Sequence, residues 1–215
     1  MDAIEAHQES APDYDRQAKE WGWNPEVFFG LMYQYVEPGQ ALLDIGIGTG
    51  LCSEPFHKAG LKIHGFDGSK EMLQICVDKT IAVELKCHNI ADMPWPYPDG
   101  FFHHVICGGV FHFFGELESI FSETARIIKP QGAYGFTISH LTEDDPCNLG
   151  DPQQEFAKVR DEASGADIYK HSDAYILKLL GDTGFMLRKR LVFLASVNPE
   201  TGAKHYGTLY IGQKQ

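Results

Sequence analysis

The run Asp44-Ile45-Gly46-Ile47-Gly48-Thr49-Gly50 sets three glycines at alternate positions behind a carboxylate. Glycine lacks the Cβ that holds a ligand off the main chain, so such a loop lets backbone N–H groups reach what binds there. A second carboxylate, Asp67, follows 23 residues after Asp44. An acid at a strand end in that position can accept both hydroxyls of a ribose, and Gly68 leaves the edge beside it open. A nicotinamide or flavin dinucleotide is disfavoured, because the sixth place of G-x-G-x-x-G counted from Gly46 is Leu51. Acid–base chemistry falls to histidine: His112 in GGVFHFF is the first candidate for a general base and His140 in TISHL the second. His7, His57, His64, His88, His104, His171 and His205 show no metal-ligand spacing, His103 reads as a strand or edge residue, and no metal site is expected. The five cysteines contain no CxxC pair, so neither a disulfide framework nor a zinc cluster is indicated.

These residues need a scaffold that brings strand ends together. ALLDIG at 41–46 is a short apolar run closed by turn residues, which predicts a buried strand, and a helix is expected from Gly50 to a stop at Gly60. LKIHGFD at 61–67 predicts the next strand; Ser69 then caps KEMLQICVDK, whose Met72, Leu73, Ile75 and Cys76 recur at helical spacing. The alternation continues through IAVELKCHNI, a strand HHVICGG at 103–109, a helix at 116–128 and a strand AYGFTIS at 133–139. It predicts an α/β fold with a mostly parallel sheet and helices on both faces. From 140 to 170 it lapses into a Pro/Asp-rich stretch with a helix expected around 153–163. SDAYILKLLGDTG restores helical spacing, with Ser172 or Asp173 as cap. FMLRKRLVFLAS and KHYGTLYIG, parted by NPETGA, predict a C-terminal antiparallel hairpin. The first 35 residues read as helical pieces rich in aromatics.

Composition bounds the partners. With 215 residues and 43% apolar content one domain over 1–215 is expected. Eighteen basic against 30 acidic residues give a net charge of -12, which opposes nucleic-acid binding. No apolar run reaches bilayer length and the N-terminus is acidic, so a cytoplasmic protein is expected, with no membrane partner. The acid is concentrated: residues 1–20 hold six acids against two bases, and 143–167 hold eight against two.

LLDIGIGTG, GFDGSKEML, HNIADMPWPYPDGFF, VICGGVFHFF and RIIKPQGAYGFTI, in this order and spacing, resemble a class I S-adenosylmethionine-dependent methyltransferase of the small-molecule type. The resemblance runs closely over 41–139. It implies a Rossmann-like seven-stranded sheet with one antiparallel strand, S-adenosylmethionine as cofactor and S-adenosylhomocysteine as product. It implies that Gly46, Gly48 and Gly50 border the methionine part, that Asp44 holds the loop, and that Asp67 holds the ribose. Gly68, Ser69 and Met72 would then lie along the adenosine, and the Cys107 backbone carbonyl would face the cofactor. Where the family commonly has Asp-Ala before a Leu-Pro-Phe turn, this chain has Asn89-Ile90; the Asn oxygen can still meet an adenine amino group and the Ile90 N–H a ring nitrogen.

The implied reaction is in-line transfer of a methyl group to a small organic acceptor, in which positioning does most of the work. A proton must leave a phenol or alcohol acceptor, whereas a thiolate, neutral amine or enolate-like carbon needs little help. CGGVFHFF lacks the Asp/Asn-Pro-Pro-aromatic turn and the Pro-Cys pair that go with nucleic-acid base methylation. Segments 1–38 and 140–170 fall where related enzymes cap the acceptor, with Tyr14, Trp21 and Trp23 as aromatics that close over cofactor or acceptor. Acid in both caps would favour neutral or cationic acceptors. A monomer or homodimer is expected. The alternative function is a non-catalytic S-adenosylmethionine-binding sensor or partner protein of the same fold.

Overall fold

The computed structural model describes residues 11–142, 145, 147–151, 153–160 and 167–215. His7, the first ten residues of the N-terminal cap segment, and residues 143, 144, 146, 152 and 161–166 of the cap insertion lie outside them.

Five apolar runs become parallel strands: β1 (Ala41–Ile45), β2 (Lys62–Asp67), β3 (Ala82–Cys87), β4 (Phe102–Cys107) and β5 (Ile128–Ser139). Two further strands, β6 (Phe156–Arg160) and β7 (Asp167–His171), form a separate antiparallel pair. The last two, β8 (Phe185–Val197) and β9 (Lys204–Lys214), make the expected C-terminal hairpin, with β9 antiparallel to β5. The seven-stranded sheet runs β3-β2-β1-β4-β5-β9-β8. The order reverses between β1 and β4, the place where open α/β sheets leave a crevice for ligands.

Among the described residues there are six helices, α1 (Tyr14–Glu20), α2 (Glu26–Met32), α3 (Glu54–Lys58), α4 (Lys70–Asp78), α5 (Glu118–Ile127) and α6 (Asp173–Asp182). Side chains alternate across each strand, so one face (Leu43, Ile45, Val105, Phe136) packs on α5 and α6, and the other (Leu42, Ile63, Ile106, Ala133) packs on α2, α3 and α4. Burial on both faces is why β1 reads as continuous apolar sequence. Ser69 caps α4 by accepting from Met72 N at 3.2 Å, and Ser172 caps α6 by accepting from Tyr175 N at 3.3 Å.

Two expectations are corrected. The helix expected from Gly50 to Gly60 shrinks to α3, because Gly50 sits at φ +87° and cannot begin a right-handed helix. Residues 50–53 form a turn instead, with Gly50 N–H donating to Ile47 O at 2.8 Å and Ser53 N–H to Gly50 O at 3.1 Å. The helix expected around 153–163 is replaced by β6, paired with β7. Apolar Ala157 and Val159 alternate there with Lys158 and Arg160, and both bases meet Asp167 on the facing strand, at 2.8 and 3.2 Å. The pair docks on a short 3-10 turn, Phe111–Phe113, that follows β4: His171 Nε2 lies 3.0 Å from Gly115 O, and Gly115 packs so closely on Phe156 and Tyr169 that a Cβ would not fit.

Candidate functional site

The glycine loop leaves β1 and turns back toward β2. Gly46 N–H and Ile47 N–H both donate to Phe66 O, at 2.9 and 3.1 Å. Gly46, Gly48 and Gly50 all have positive φ, a conformation that costs other residues about 1–2 kcal/mol. Asp67 at the end of β2 braces this loop: its Oδ2 accepts from Gly48 N at 2.9 Å and its Oδ1 from Ser69 N at 2.8 Å.

A cavity of about 310 Å³ opens at the carboxyl ends of β1, β2 and β4. One side is bounded by Gly46, Gly48 and Tyr14, and another by Asp67, Gly68, Met72, Asn89, Ile90 and Ala91. The remaining wall is Gly108, Gly109, Val110, Phe113 and Phe114. Its volume falls within the range of small-molecule sites. Gly48 is informative, because a Cβ built there meets nothing within 4 Å. Its positive φ serves the loop, and the space above it is free for a ligand.

Of the residues singled out in the sequence, Tyr14, Gly46, Gly48, Asp67, Gly68, Met72, Asn89 and Ile90 border this cavity together. Six others do not line it, Trp21 among them. Asp44 is buried beneath the loop, where Ser53 Oγ donates to its Oδ2 at 2.7 Å; burial, with the Asp67 charge adding to it, pushes the Asp44 carboxyl up to about 7. Gly50 faces inward, and a Cβ there would run into Ile81 and Cys76. Ser69 is spent as the α4 cap, and Cys107 is fully buried, with its thiol pushed well above its ordinary value by burial. Trp23 packs on Phe193, ring centroids 6.1 Å apart, and borders a different depression beside Pro25, Leu51 and Pro55. Asn89 Oδ1 already accepts from Ala91 N at 3.0 Å, so the side chain shapes its own turn.

Neither candidate base borders the cavity. His112 lies against Phe113, ring centroids 4.0 Å apart. His140, at the end of β5, lies 3.7 Å from Asp173 Oδ1 and 3.4 Å from Thr208 Oγ1, and burial lowers its pKa. His104 is a core residue: Nδ1 accepts from Ala133 N, Nε2 meets Gln40 Oε1 at 2.7 Å, and burial pushes its pKa down to about 4. No cluster of three metal-ligating side chains occurs among the described residues. Among the described residues of the two capping segments, five acids are paired: Asp13 and Glu20 with Arg16, Asp15 with Lys79, Asp145 with Lys170, and Asp167 with Lys158 and Arg160.

Sequence reasoning did not single out Ala91, Gly108, Gly109, Val110, Phe113 or Phe114 as site residues. The doubled glycine after β4 was the available signal: Gly109 stands at φ +71° and its N–H donates to Thr137 Oγ1 at 2.8 Å, and a Cβ on Gly108 would strike Cys52. Tyr14 closes the cavity from the N-terminal side with its ring half-buried. Burial pushes its phenol up to about 12, and the charges of Cys52, Asp67 and Asp15 act in the same direction.

Residues 43–136 match the family described as "Methyltransferase domain". The chain is 26% identical over 97 residues to a demethylmenaquinone methyltransferase of Tropheryma whipplei, a match that covers 45% of this chain and 41% of that protein. The chain thus spans less than half the length of the curated relatives it matches. In structure it is similar to magnesium protoporphyrin IX methyltransferase from Synechocystis PCC 6803 with bound S-adenosylmethionine: TM-score 0.66, 17% identity, covering 100% of this chain and 98% of that one. It is also similar to the [4+2]-cyclase SpnF, with TM-score 0.70, 15% identity, and coverage of 100% and 97%. Residues 43–136 thus match a methyltransferase domain, and the fold of the chain is the one seen in solved S-adenosylmethionine-dependent methyltransferases.

Proposed function

We propose that the chain binds S-adenosylmethionine in the cavity at the ends of β1, β2 and β4 and transfers its methyl group to a small organic acceptor, releasing S-adenosylhomocysteine. The observation that carries this reading is the wall shared by Gly48 and Asp67, a ligand-accessible backbone fixed by a carboxylate that itself borders the cavity. The bound cofactor supplies an electrophilic methyl group on a sulfonium.

The chain's own residues do the rest. Asp67 accepts the two ribose hydroxyls, as charge-assisted bonds. Gly68, Met72, Asn89 and Ile90 border the adenosine, and Gly46 and Gly48 admit the methionine part to the backbone. Asp44, Gly50, Ser69 and Cys107 act from behind, holding the loop and strand ends that form the wall. Tyr14 covers the mouth and excludes water. Phe113, Phe114 and Val110 give the acceptor an apolar, aromatic surface, which suits a planar apolar molecule such as the one in the name of the demethylmenaquinone methyltransferase relative. With neither His112 nor His140 on the cavity wall, the acceptor is one whose attacking atom is free of its proton without help from a histidine: a thiolate, a neutral amine or an ionised enol. We place this activity in a cytoplasmic protein, monomeric or homodimeric, that does not bind nucleic acid. No helix among the described residues is long and apolar enough to cross a membrane.

A second reading is a protein of the same fold that binds the cofactor without methyl transfer; the likeness to a cyclase favours it. Calorimetric titration with S-adenosylmethionine, followed by incubation of the labelled cofactor with a small-metabolite extract, separates the two. Label in an extractable product supports methyl transfer. Binding with no transfer supports the second reading, and no binding overturns both.

A further inference from the structure

The glycine loop has an outward contact that the cofactor reading does not use. Thr49, between Gly48 and Gly50, is buried, and its hydroxyl donates to Asp15 Oδ1 at 2.6 Å, across 34 positions of sequence. The other oxygen of Asp15 pairs with Lys79 at the carboxyl end of α4. That ammonium is enclosed, and Asp15 is the one carboxylate paired with it among the described residues. Asp15 therefore joins the N-terminal segment to the glycine loop and to the helix that follows Asp67. The far end of the same segment is fixed elsewhere: Trp21 O accepts from Val197 N at 2.7 Å on β8, and Trp23 packs on Phe193. Between these anchors lies Tyr14, whose ring borders the cavity.

Adjacency makes the consequence specific. The contacts of Asp15 with Thr49 and Lys79 restrain the backbone that carries Tyr14 over the cavity. We propose that Asp15 is a positioning residue, the latch that keeps Tyr14 over the cofactor cavity, so that the cofactor and its product leave only when the Asp15–Thr49 and Asp15–Lys79 contacts open. The proposal rests on the cofactor reading above. Asp15 does not touch the ligand; it sets how long the ligand stays. Thr49 carries the message in both directions, because the loop that receives the ligand is the loop the latch grips.

The test uses the full chain and S-adenosylhomocysteine as the probe, with release followed by stopped-flow tryptophan fluorescence after a competitor chase. Asp15→Asn is expected to speed release about tenfold, with association little changed. Thr49→Val is expected to speed release less, because the Asp15–Lys79 pair remains, Thr49→Ser to return release to the wild-type rate, and the double variant to fall short of the two single effects combined, since both act on the Asp15–Thr49 contact. A merely structural role would lower the melting temperature of the ligand-free variants without this pattern of release rates. Release at the wild-type rate from both Asp15→Asn and Thr49→Val, or additive effects in the double variant, overturns the latch while leaving the cofactor reading intact. Failure of the wild-type chain to bind the probe at all is a separate result, and it overturns the cofactor reading and the latch with it.

Discussion

Replacing Asp67 by alanine tests the cofactor site at the residue that does two jobs. Its carboxylate accepts Gly48 N at 2.9 Å and Ser69 N at 2.8 Å, and it borders the cavity. The variant therefore loses a loop brace and, in the proposed complex, two charge-assisted bonds to ribose hydroxyls. Such bonds contribute about 1.5–3 kcal/mol each at most. The freed Gly48 N–H borders an open cavity and water can satisfy it, so the expected net loss is about 3 kcal/mol, or roughly a hundredfold in Kd. Asp67→Asn is the discriminating companion. An amide keeps one acceptor but turns an NH2 toward either the Gly48 or the Ser69 N–H, two donors facing each other, so it is expected to recover little of the loss. Calorimetric titration with S-adenosylmethionine measures both variants, with circular dichroism as the check on folding. A folded Asp67→Ala chain that binds within twofold of wild type refutes the assignment of Asp67 and the orientation of the ligand built on it.

Asp44 gives a pH prediction. Its carboxyl is raised from 3.8 to about 7 by burial, so the folded chain binds this proton more tightly than the unfolded one, and stability falls as pH rises from about 4 to about 7. Asp44→Asn should flatten that slope and exceed wild type at pH 8 by up to about 4 kcal/mol, the two converging near pH 4; urea denaturation at both pH values measures it, and parallel profiles count against it. Gly48→Ala and Gly50→Ala should part ways, since a Cβ at Gly48 meets only the ligand's space and one at Gly50 meets Ile81 and Cys76. The first is expected to cost about 1–2 kcal/mol of stability but more than tenfold in cofactor affinity, and the second chiefly stability, by about 3 kcal/mol or more; melting curves and titrations on both check the contrast. His140→Gln is expected to leave turnover within about threefold once an acceptor is in hand, because the ring is engaged near Asp173 and Thr208 away from the cavity; a hundredfold loss would make it the missing base.

The parallel sheet was legible because the central strands β1 and β4 are buried on both faces, and because β1 and β2 close on glycine or a capping residue, at Ile45-Gly46 and Asp67-Gly68-Ser69. The donor side of the cavity was legible for the same reason, since its signals are local and ordered along the chain. What escaped depended on partners far away in sequence. β6 alone has ambiguous periodicity, and only the facing Asp167 makes Lys158 and Arg160 read as strand residues. Gly50 has the same spacing as Gly48, yet the neighbours that fix its role, Cys76 and Ile81, come from the next helix and the turn beyond it. The histidines show the limit of position along a strand: His140 follows β5 as expected, but Asp173 and Thr208, from α6 and β9, surround its ring.

The two halves of the cavity are made of different material. In the proposed complex the donor faces main chain exposed by glycine, at Gly46, Gly48 and Gly68, while the opposite wall is made by the side chains of Phe113, Phe114 and Val110. Exchanging one aromatic ring for another redraws the acceptor's berth and leaves the donor's seat untouched. On that reading, substrate preference is free to drift one side chain at a time, whereas the seat is constrained: a side chain at Gly46, Gly48 or Gly50 strains the turn, and it meets Val110 at the first, the ligand's space at the second and Ile81 with Cys76 at the third.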